Sequence, residues 1–274
     1  IEHLATELFA DIGNILRTGG INGAHFFGIF RIFGQIHRRP GSTMDHHIRV
    51  CLGDGLSDGI GIGNIDISVT ELDALANIDF ATRTVKENFR RLTLVRLGTS
   101  GALQPDIEVG EVVFARTSVG FDSLLGYYAG RNEVCDRDME RDFMAHTAWS
   151  EVLAPPYFVN ADNELWEHFK DSVTEGITIA APGFYAPQGR HVRLQPADTE
   201  LNAKVESWRY NGRRITNFEM EGSALAGLAA LMGHRAATIC TIIAQRVAKQ
   251  AQTDYKPYVE RMIRMALDKL ATLE

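Results

Sequence analysis

Three segments of the chain carry side chains suited to an anion, a sugar and a heterocyclic base. The first, at 95–101, is an apolar run that opens into the small residues Gly-Thr-Ser-Gly. Such a turn predicts a nest of backbone N–H groups, to which Arg96 adds a forked positive charge and Thr99 a hydroxyl donor. The segment therefore predicts an oxyanion site. A tight turn beside a surface arginine is the alternative that the pattern leaves open.

Two carboxylates lie in the second segment, Thr-Asn-Phe-Glu-Met-Glu-Gly at 216–222. Thr216 and Glu219 have the spacing of a capping box, which predicts a helix that begins after Thr216. Glu219 and Glu221 would then lie on different faces of the first helical turn, where the dipole favours ionised carboxylates. A carboxylate fixed at a helix start can accept hydrogen bonds from the vicinal hydroxyls of a sugar. Ordinary capping of the helix is the alternative.

The third segment is a loop at 181–191 with two prolines and two glycines. Gln188 and Arg190 alternate along it, so an extended backbone would point both side chains the same way. Glutamine donates and accepts hydrogen bonds, whereas arginine only donates. The pair suits an imide edge, which is one N–H flanked by carbonyl oxygens. Two solvated polar side chains on a loop are the alternative.

Strand-like and helix-like stretches alternate around these segments. The pattern predicts strands at 92–97, 111–116, 176–181 and 236–244, and helices at 68–77, after Thr216 and at 258–273. Gly233 is the predicted stop of the helix after Thr216. This alternation predicts an α/β domain around a mostly parallel or mixed sheet, with one domain over 1–274. Residues 17–58, rich in Gly, His and Phe, show little periodicity and give no predicted elements.

Composition narrows the classes of function. The 274 residues carry a net charge of −7. A general nucleic-acid-binding protein is expected to be basic, so this charge does not favour that class. No apolar run approaches the length of about 18 residues that predicts a membrane span. The first 15 residues are acidic and do not predict a signal peptide. Three separated cysteines without a CxxC motif favour free thiols in a reducing, cytoplasmic setting.

Taken together, the segments resemble the uridine phosphorylase type of the nucleoside phosphorylase family. The resemblance covers residues 57–273 and follows the family's order of motifs. The matching stretches are SDGIGIGNIDISVTELDAL at 57–75, RLGTSGALQPDIEVGEVV at 96–113, FYAPQGR at 184–190, TNFEMEGSALAGLAALMGHRA at 216–236 and IIAQR at 242–246. The resemblance implies a three-layer α/β/α fold around a mixed central sheet.

The resemblance also implies roles for individual residues. Arg96 and Thr99 would bind the nucleophilic phosphate. Met220 and Glu221 would hold the ribose, with Glu221 on the 2′- and 3′-hydroxyls and Glu219 beside it.

Four further residues would form the base site by the same resemblance. Gln188 and Arg190 would bind the uracil edge, and Phe184 would pack against the base. Arg246 occupies the position of an arginine near a uracil carbonyl, where purine-specific relatives carry Ser-Asp. The absence of an acid in this segment favours a pyrimidine leaving group.

The N-terminal part departs from the family pattern. His3 fits a histidine that reaches a neighbouring subunit's ribose. The sequence Gly-Gly-Ile-Asn-Gly at 19–23 stands where the family has Gly-Asp-Pro-x-Arg. Arg39, the candidate for a phosphate-binding arginine from the partner subunit, is followed by Pro-Gly rather than Glu-Phe, and Asp58 replaces a threonine.

The activity implied is reversible phosphorolysis of uridine, with Arg96, Glu221 and Arg190 as catalytic residues and inorganic phosphate as co-substrate. Whether other pyrimidine nucleosides also react is left open by the resemblance. No catalytic metal or other cofactor is implied, although a structural potassium ion occurs in relatives. A dimer or hexamer with shared active sites is expected, with no nucleic-acid or membrane partner. The alternatives are a hydrolytic nucleosidase on the same fold and a non-catalytic nucleoside-binding protein.

Overall fold

The computed structural model describes residues 49–53, 62–246, 250–251 and 254–273. The strands are β1 (Arg49–Gly53), β2 (Ile78–Asp79), β3 (Thr84–Val85), β4 (Thr93–Ala102), β5 (Val112–Gly120), β6 (Tyr157–Asn160), β7 (Thr174–Ala180), β8 (Arg209–Tyr210), β9 (Arg213–Glu219), β10 (Arg235–Gln245) and β11 (Gln250–Ala251). The helices are α1 (Ile62–Asn77), α2 (Arg131–Val134), α3 (Arg137–Thr147), α4 (Asn163–Phe169), α5 (Leu201–Ser207), α6 (Gly222–Leu231) and α7 (Lys256–Ala271). Short 3₁₀ helices lie at Leu124–Tyr127, Lys170–Ser172 and Ala186–Gln188.

A mixed sheet forms the centre of the described structure, in the order β1-β4-β10-β5-β7-β9-β8, with β6 on β5 and β11 on β10. Strands β1, β4 and β10 are mutually parallel, and the parallel set β5, β7 and β9 runs the opposite way. The end of β4 also pairs with β9 in antiparallel fashion, Gly101 opposite Phe218 and Ala102 opposite Asn217. This pairing curls the sheet and places the carboxyl end of β9 beside the second half of β4.

Helices cover both faces of the sheet. Leu94 of β4 packs on one face with residues of α1 and α6, whereas Val95 packs on the other face with residues of α4 and α7. Successive strand side chains point to opposite faces, so this alternation produces the layers. The predicted three-layer arrangement around a mixed sheet is confirmed. The assignment of 1–274 to one domain stays a prediction.

The predicted strands and the closing helix are confirmed, but β4 is longer than predicted. The residues at 98–101 do not break the strand, because 98–100 continue the pairing of β4 with β10. Gly101 resumes that pairing beyond a bulge at Ile243 and also pairs with β9. The backbone at 98–101 is therefore part of the sheet, and the predicted nest of N–H groups is wrong.

The predicted helix start at Thr216 is also wrong. Residues 213–219 form β9, and the Thr216 hydroxyl donates to the carbonyl of Ile177 in β7 at 2.9 Å. Burial of consecutive residues from Ile215 to Glu219 explains the difference, because a strand in a sheet that is covered on both faces buries successive side chains. The helix begins at Gly222 and ends before Gly233, whose positive φ of 76° confirms the predicted stop.

Among the helices of the described residues, none combines the length and apolar character needed to cross a bilayer. Cys135 and Cys240 are buried and are not joined in a disulfide.

Candidate active site

Glu219, rather than the predicted Thr216, caps the N-terminus of α6. It is the last residue of β9 and is 4% exposed. Its carboxylate accepts hydrogen bonds from the backbone N–H of Glu221 at 2.8 Å and of Gly222 at 2.9 and 3.0 Å. A Cβ at Gly222 would lie 2.9 Å from Glu219 Oε1 and from Thr238 Oγ1, so a larger residue there would displace these side chains. The Glu-Met-Glu-Gly sequence thus encodes a strand end, a cap and a close approach.

Arg96 is buried against this cap. The residue is 3% exposed, its Nη1 lies 3.1 Å from Glu219 Oε2, and its Nη2 donates to Glu221 Oε2. Nη1 also lies 3.5 Å from the sulfur of Cys240 in β10. The alternative of a surface arginine is therefore excluded. Breaking a buried ion pair leaves an uncompensated charge, so this arrangement holds both glutamates in place.

The structure joins Arg96, Glu219 and Glu221, three of the residues expected at the phosphate and ribose sites. Glu221 is the residue before α6, and Met220, partly buried, separates it from Glu219. Thr99 lies three residues beyond Arg96 in β4 and is partly buried. Arg96 shares its positive charge between two carboxylates, so an oxyanion bound there would compete with Glu221 for guanidinium N–H groups.

The expected base-binding residues also converge. The Gln188 side-chain oxygen accepts hydrogen bonds from Arg190 Nη1 and, at 3.2 Å, from Arg246 Nη1, although Arg246 lies 58 residues further along the chain. The main-chain oxygen of Gln188 accepts from Arg246 Nη2 and from Asn202 Nδ2. Gln188 itself is 3% exposed. Three of the predicted residues thus form one polar cluster.

A turn, rather than the predicted extended backbone, brings Gln188 and Arg190 together. Gln188 ends a 3₁₀ helix, and Gly189 has a positive φ of 69°. A Cβ at Gly189 would lie 2.1 Å from Asn202 Nδ2, so glycine is required both for its φ and for space. The predicted pairing of the two side chains is found, but its predicted geometry is wrong.

The cluster has a defined polarity. Because both arginines donate to Gln188 Oε1, its Nε2 group faces away from them as a hydrogen-bond donor. Burial lowers the pKa of Arg190. Burial, followed by the nearby charge of Arg190, lowers the pKa of Arg246 to about 10. Arginine side chains stay protonated in proteins, and no carboxylate of the described residues is among the charges that act on Arg190 or Arg246. The cluster therefore favours electron-rich carbonyl oxygens or an anionic ring.

Aromatic rings flank both arginines. The Arg190 guanidinium lies 4.0 Å from the ring centroid of Phe184, which is 53% exposed, and its Nη1 donates to the carbonyl oxygen of Phe184 at 2.9 Å. The Arg246 guanidinium lies 4.8 Å from the ring of Phe218. Phe184 retains an exposed surface on which a planar base can stack.

Phe218 and Asn202 were missed by sequence reasoning. Phe218 lies inside the segment interpreted as helix, where no base contact is expected. Had 213–219 been interpreted as a strand, Phe218 and Asn217 would have been expected on opposite faces of it. Asn202 gives no sequence pattern, because only the folded turn places α5 beside Gln188. His3 and Arg39 lie outside the described residues.

A model of a protein family matches residues 56–272 of the chain, and the family is described as the phosphorylase superfamily. The chain belongs to that superfamily. The resemblance noted in the motifs is thereby confirmed at the level of the family, and the match includes every site residue placed above.

Curated relatives include uridine phosphorylases. The chain is 28% identical over 200 residues to that of Thermococcus kodakarensis, covering 71% of this chain and 58% of the relative. It is 26% identical over 195 residues to that of Salmonella typhimurium, covering 71% and 64%. A DeoD-type purine nucleoside phosphorylase of Anoxybacillus flavithermus is 26% identical over 215 residues, covering 76% and 73%. The chain thus spans about three fifths of the length of the two uridine phosphorylases.

Solved structures show the same fold. A Trypanosoma brucei nucleoside phosphorylase, described as showing uridine phosphorylase activity, superposes with a TM-score of 0.68 at 23% identity, with 78% of each chain covered. A Schistosoma mansoni uridine phosphorylase in complex with uracil gives a TM-score of 0.53 at 26% identity, with 78% of this chain and 68% of that chain covered.

Proposed function

We propose that the protein is a uridine phosphorylase, which converts uridine and inorganic phosphate into uracil and ribose 1-phosphate. The observation that carries the proposal is the cluster of Gln188, Arg190 and Arg246. Two half-buried cations and an amide converge there beside an exposed aromatic face. A carbonyl-rich pyrimidine matches these donors. A purine that must be protonated as it leaves needs an acid, which none of these three residues supplies.

The chemistry follows from where charge develops. A phosphate oxygen attacks C1′ while the C1′–N1 bond breaks, and the bonding electrons move onto the uracil ring. The proton of hydrogen phosphate ends on N1 of the released uracil. Arg190 and Arg246 stabilise the negative charge on the departing base, which is absent from the bound nucleoside. Such differential stabilisation lowers the barrier.

Arg96 and Glu221 act on the other side of the bond. The proposed role of Arg96, with Thr99, is to place the phosphate oxygen in line with C1′. Glu221 accepts hydrogen bonds from the ribose hydroxyls, and its charge favours the oxocarbenium-like sugar of the transition state. Ribose that occupies Glu221 would also loosen its hold on Arg96, so both substrates use one ion-pair cluster.

We also propose that the active protein is a homo-oligomer, a dimer or hexamer. His3 and Arg39 of one subunit would reach the ribose and phosphate of its neighbour. A structural potassium ion at a subunit interface belongs to the same proposal. Light scattering at assay concentration tests the assembly, and a fully active monomer would contradict it.

Nucleoside consumption with and without phosphate tests the proposed activity. Uridine should be cleaved only when phosphate is present, and inosine at less than about one hundredth of that rate, since unpaired polar groups reject mismatched bases strongly. Preferential cleavage of inosine would indicate a purine enzyme. Binding of uridine without cleavage would indicate a nucleoside-binding protein.

A further inference from the structure

The Asp122 carboxylate lies beside the start of α6. It is not among the residues expected to contact a substrate. Asp122 comes two residues after the end of β5. Its Oδ1 accepts hydrogen bonds from the Tyr157 hydroxyl at 2.7 Å and from the backbone N–H of Leu124 at 2.8 Å. Its Oδ2 accepts from the Ser223 hydroxyl at 2.7 Å. One side chain therefore ties β6, the 3₁₀ helix at Leu124–Tyr127 and α6 together.

The two hydroxyl partners of Asp122 are held in place by burial. Tyr157 and Ser223 are both fully buried. A Cβ at Gly120 would lie 2.1 Å from the Tyr157 ring, so the ring is seated directly on the backbone of β5. Burial, followed by the charge of Asp122, raises the pKa of Tyr157 well above its usual value, which keeps the phenol as a donor. Satisfied buried networks of this kind rigidify the elements that they join.

The network acts on the turn that carries Glu221. Ser223 is the second residue of α6, and Glu221 is the residue before that helix. The helix also touches the 3₁₀ helix closely, since a Cβ at Gly227 would lie 2.3 Å from Leu125. Glu219 holds the same turn through the N–H groups of Glu221 and Gly222. Arg96 thus holds the Glu221 carboxylate directly, and two other carboxylates, Glu219 and Asp122, hold the turn that carries it.

We propose that Asp122 is a positioning residue that, through Ser223, fixes Glu221 for recognition of the ribose 2′- and 3′-hydroxyls. This inference rests on the proposed function. Asp122 touches neither the Gln188 cluster nor Arg96 in the structure, so its effect reaches the substrate through the start of α6. Its loss should therefore alter recognition of the sugar more than recognition of the base.

Substrates that differ by one hydroxyl test the proposal. The variants are Ser223→Ala and Asp122→Ala. Ser223→Ala removes the link from Asp122 to α6 and the 3.2 Å hydrogen bond from the Tyr157 hydroxyl to Ser223 Oγ. Asp122→Ala removes all three contacts of the carboxylate. With phosphate saturating, kcat/KM is measured for uridine and for 2′-deoxyuridine. We expect Ser223→Ala to lower kcat/KM for uridine about 10- to 100-fold, because small misplacements far from the chemistry have effects of this size. The preference for uridine over 2′-deoxyuridine should fall by at least about threefold.

Asp142→Ala is the matched control. Asp142 lies in α3 and accepts a hydrogen bond from the Trp208 indole N–H at 2.7 Å, outside the hydrogen bonds that join Asp122 to α6. Its loss should lower the melting temperature while leaving the preference between the two nucleosides unchanged. A general loss of stability would move all three variants alike, whereas the positioning role changes the preference only in Ser223→Ala and Asp122→Ala.

The outcomes separate this inference from the proposed function. A wild-type protein that forms no uracil from uridine and phosphate overturns the proposed function and this inference with it. An active wild type whose folded Ser223→Ala variant keeps the wild-type preference overturns the positioning role alone. If Asp122→Ala fails to fold, Ser223→Ala decides.

Discussion

Arg96 and Glu219 form a buried ion pair, with Nη1 3.1 Å from Oε2, at the point where β9 ends and α6 is capped. One carboxylate therefore serves two purposes, since it caps the helix and holds the guanidinium. The proposed phosphate-binding arginine and the proposed ribose-binding glutamate are placed by this shared partner. Substitutions of Arg96 should therefore change activity most, and substitutions at the helix start should change stability.

Replacing Arg96 with lysine keeps the charge but removes the forked geometry. We expect Arg96→Lys to raise the KM for phosphate by more than about tenfold, since a charge-assisted hydrogen bond contributes about 1.5–3 kcal/mol. The KM for uridine should change much less. Arg91→Lys is the matched control, because the Arg91 side chain is 45% exposed and pairs with Asp162 at the surface. Equal effects of the two substitutions on phosphate would contradict the assigned role.

Gly222→Ala tests the close approach at the helix start. The new Cβ would lie 2.9 Å from Glu219 Oε1 and Thr238 Oγ1. We expect the free energy of unfolding to fall by about 1–3 kcal/mol, as for other overpacked sites. Gly126→Ala is the control, since nothing lies within 4 Å of its Cβ position. Denaturant titration of both variants checks the prediction, and an unchanged midpoint for Gly222→Ala would refute the predicted clash.

Arg190→Ala removes a cation from the base site. Losing a group that stabilises the developing anion should raise the barrier by about 2–4 kcal/mol, measured as kcat/KM for uridine. Gln188→Ala should also reduce turnover and should loosen the choice of base. Arg193→Ala, in the exposed part of the same loop, controls for a change of net charge. Near-normal kcat/KM in Arg190→Ala would show that the base site is assigned to the wrong residues.

The sequence predicted which residues of the candidate site meet better than it predicted their local geometry. The alternation of apolar runs predicts the strands because burial dictates it, and β4, β7 and β10 are found where it places them. Thr216 and Glu219 mimic a capping box, yet the pairing of β9 with β7 and β4 overrides that local preference. The meeting of Gln188 with Arg246 depends on contacts across 58 residues, which no local pattern encodes. Only the family resemblance placed both in one site.

His234 should make stability depend on pH. Its Nδ1 accepts from the backbone N–H of Leu92 at 3.2 Å, and its Nε2 lies 3.0 Å from Asp73 Oδ1. Burial lowers the pKa of His234 from 6.5, an effect that the Asp73 carboxylate opposes and Arg91 assists. The unfolded chain therefore binds this proton at a higher pH than the folded chain. Its contribution to stability is fully present above about pH 6.5 and is lost as the pH falls through the lowered pKa.

His234→Gln, which keeps a donor for Asp73 but does not titrate, tests this dependence. The wild-type free energy of unfolding should fall more steeply than that of the variant below pH 6.5, by at most about 1.4 kcal/mol per pH unit. His191→Gln, at an exposed position, should retain the wild-type slope. Parallel slopes for wild type and His234→Gln would count against a buried neutral histidine.

Phosphorus NMR of the products formed from uridine and phosphate tests the central claim most directly. The proposed phosphorylase forms ribose 1-phosphate in a one-to-one ratio with uracil, and its phosphorus resonance grows as that of inorganic phosphate declines. Uracil released together with free ribose, at a rate that does not depend on phosphate, would contradict the account and identify a hydrolytic nucleosidase instead.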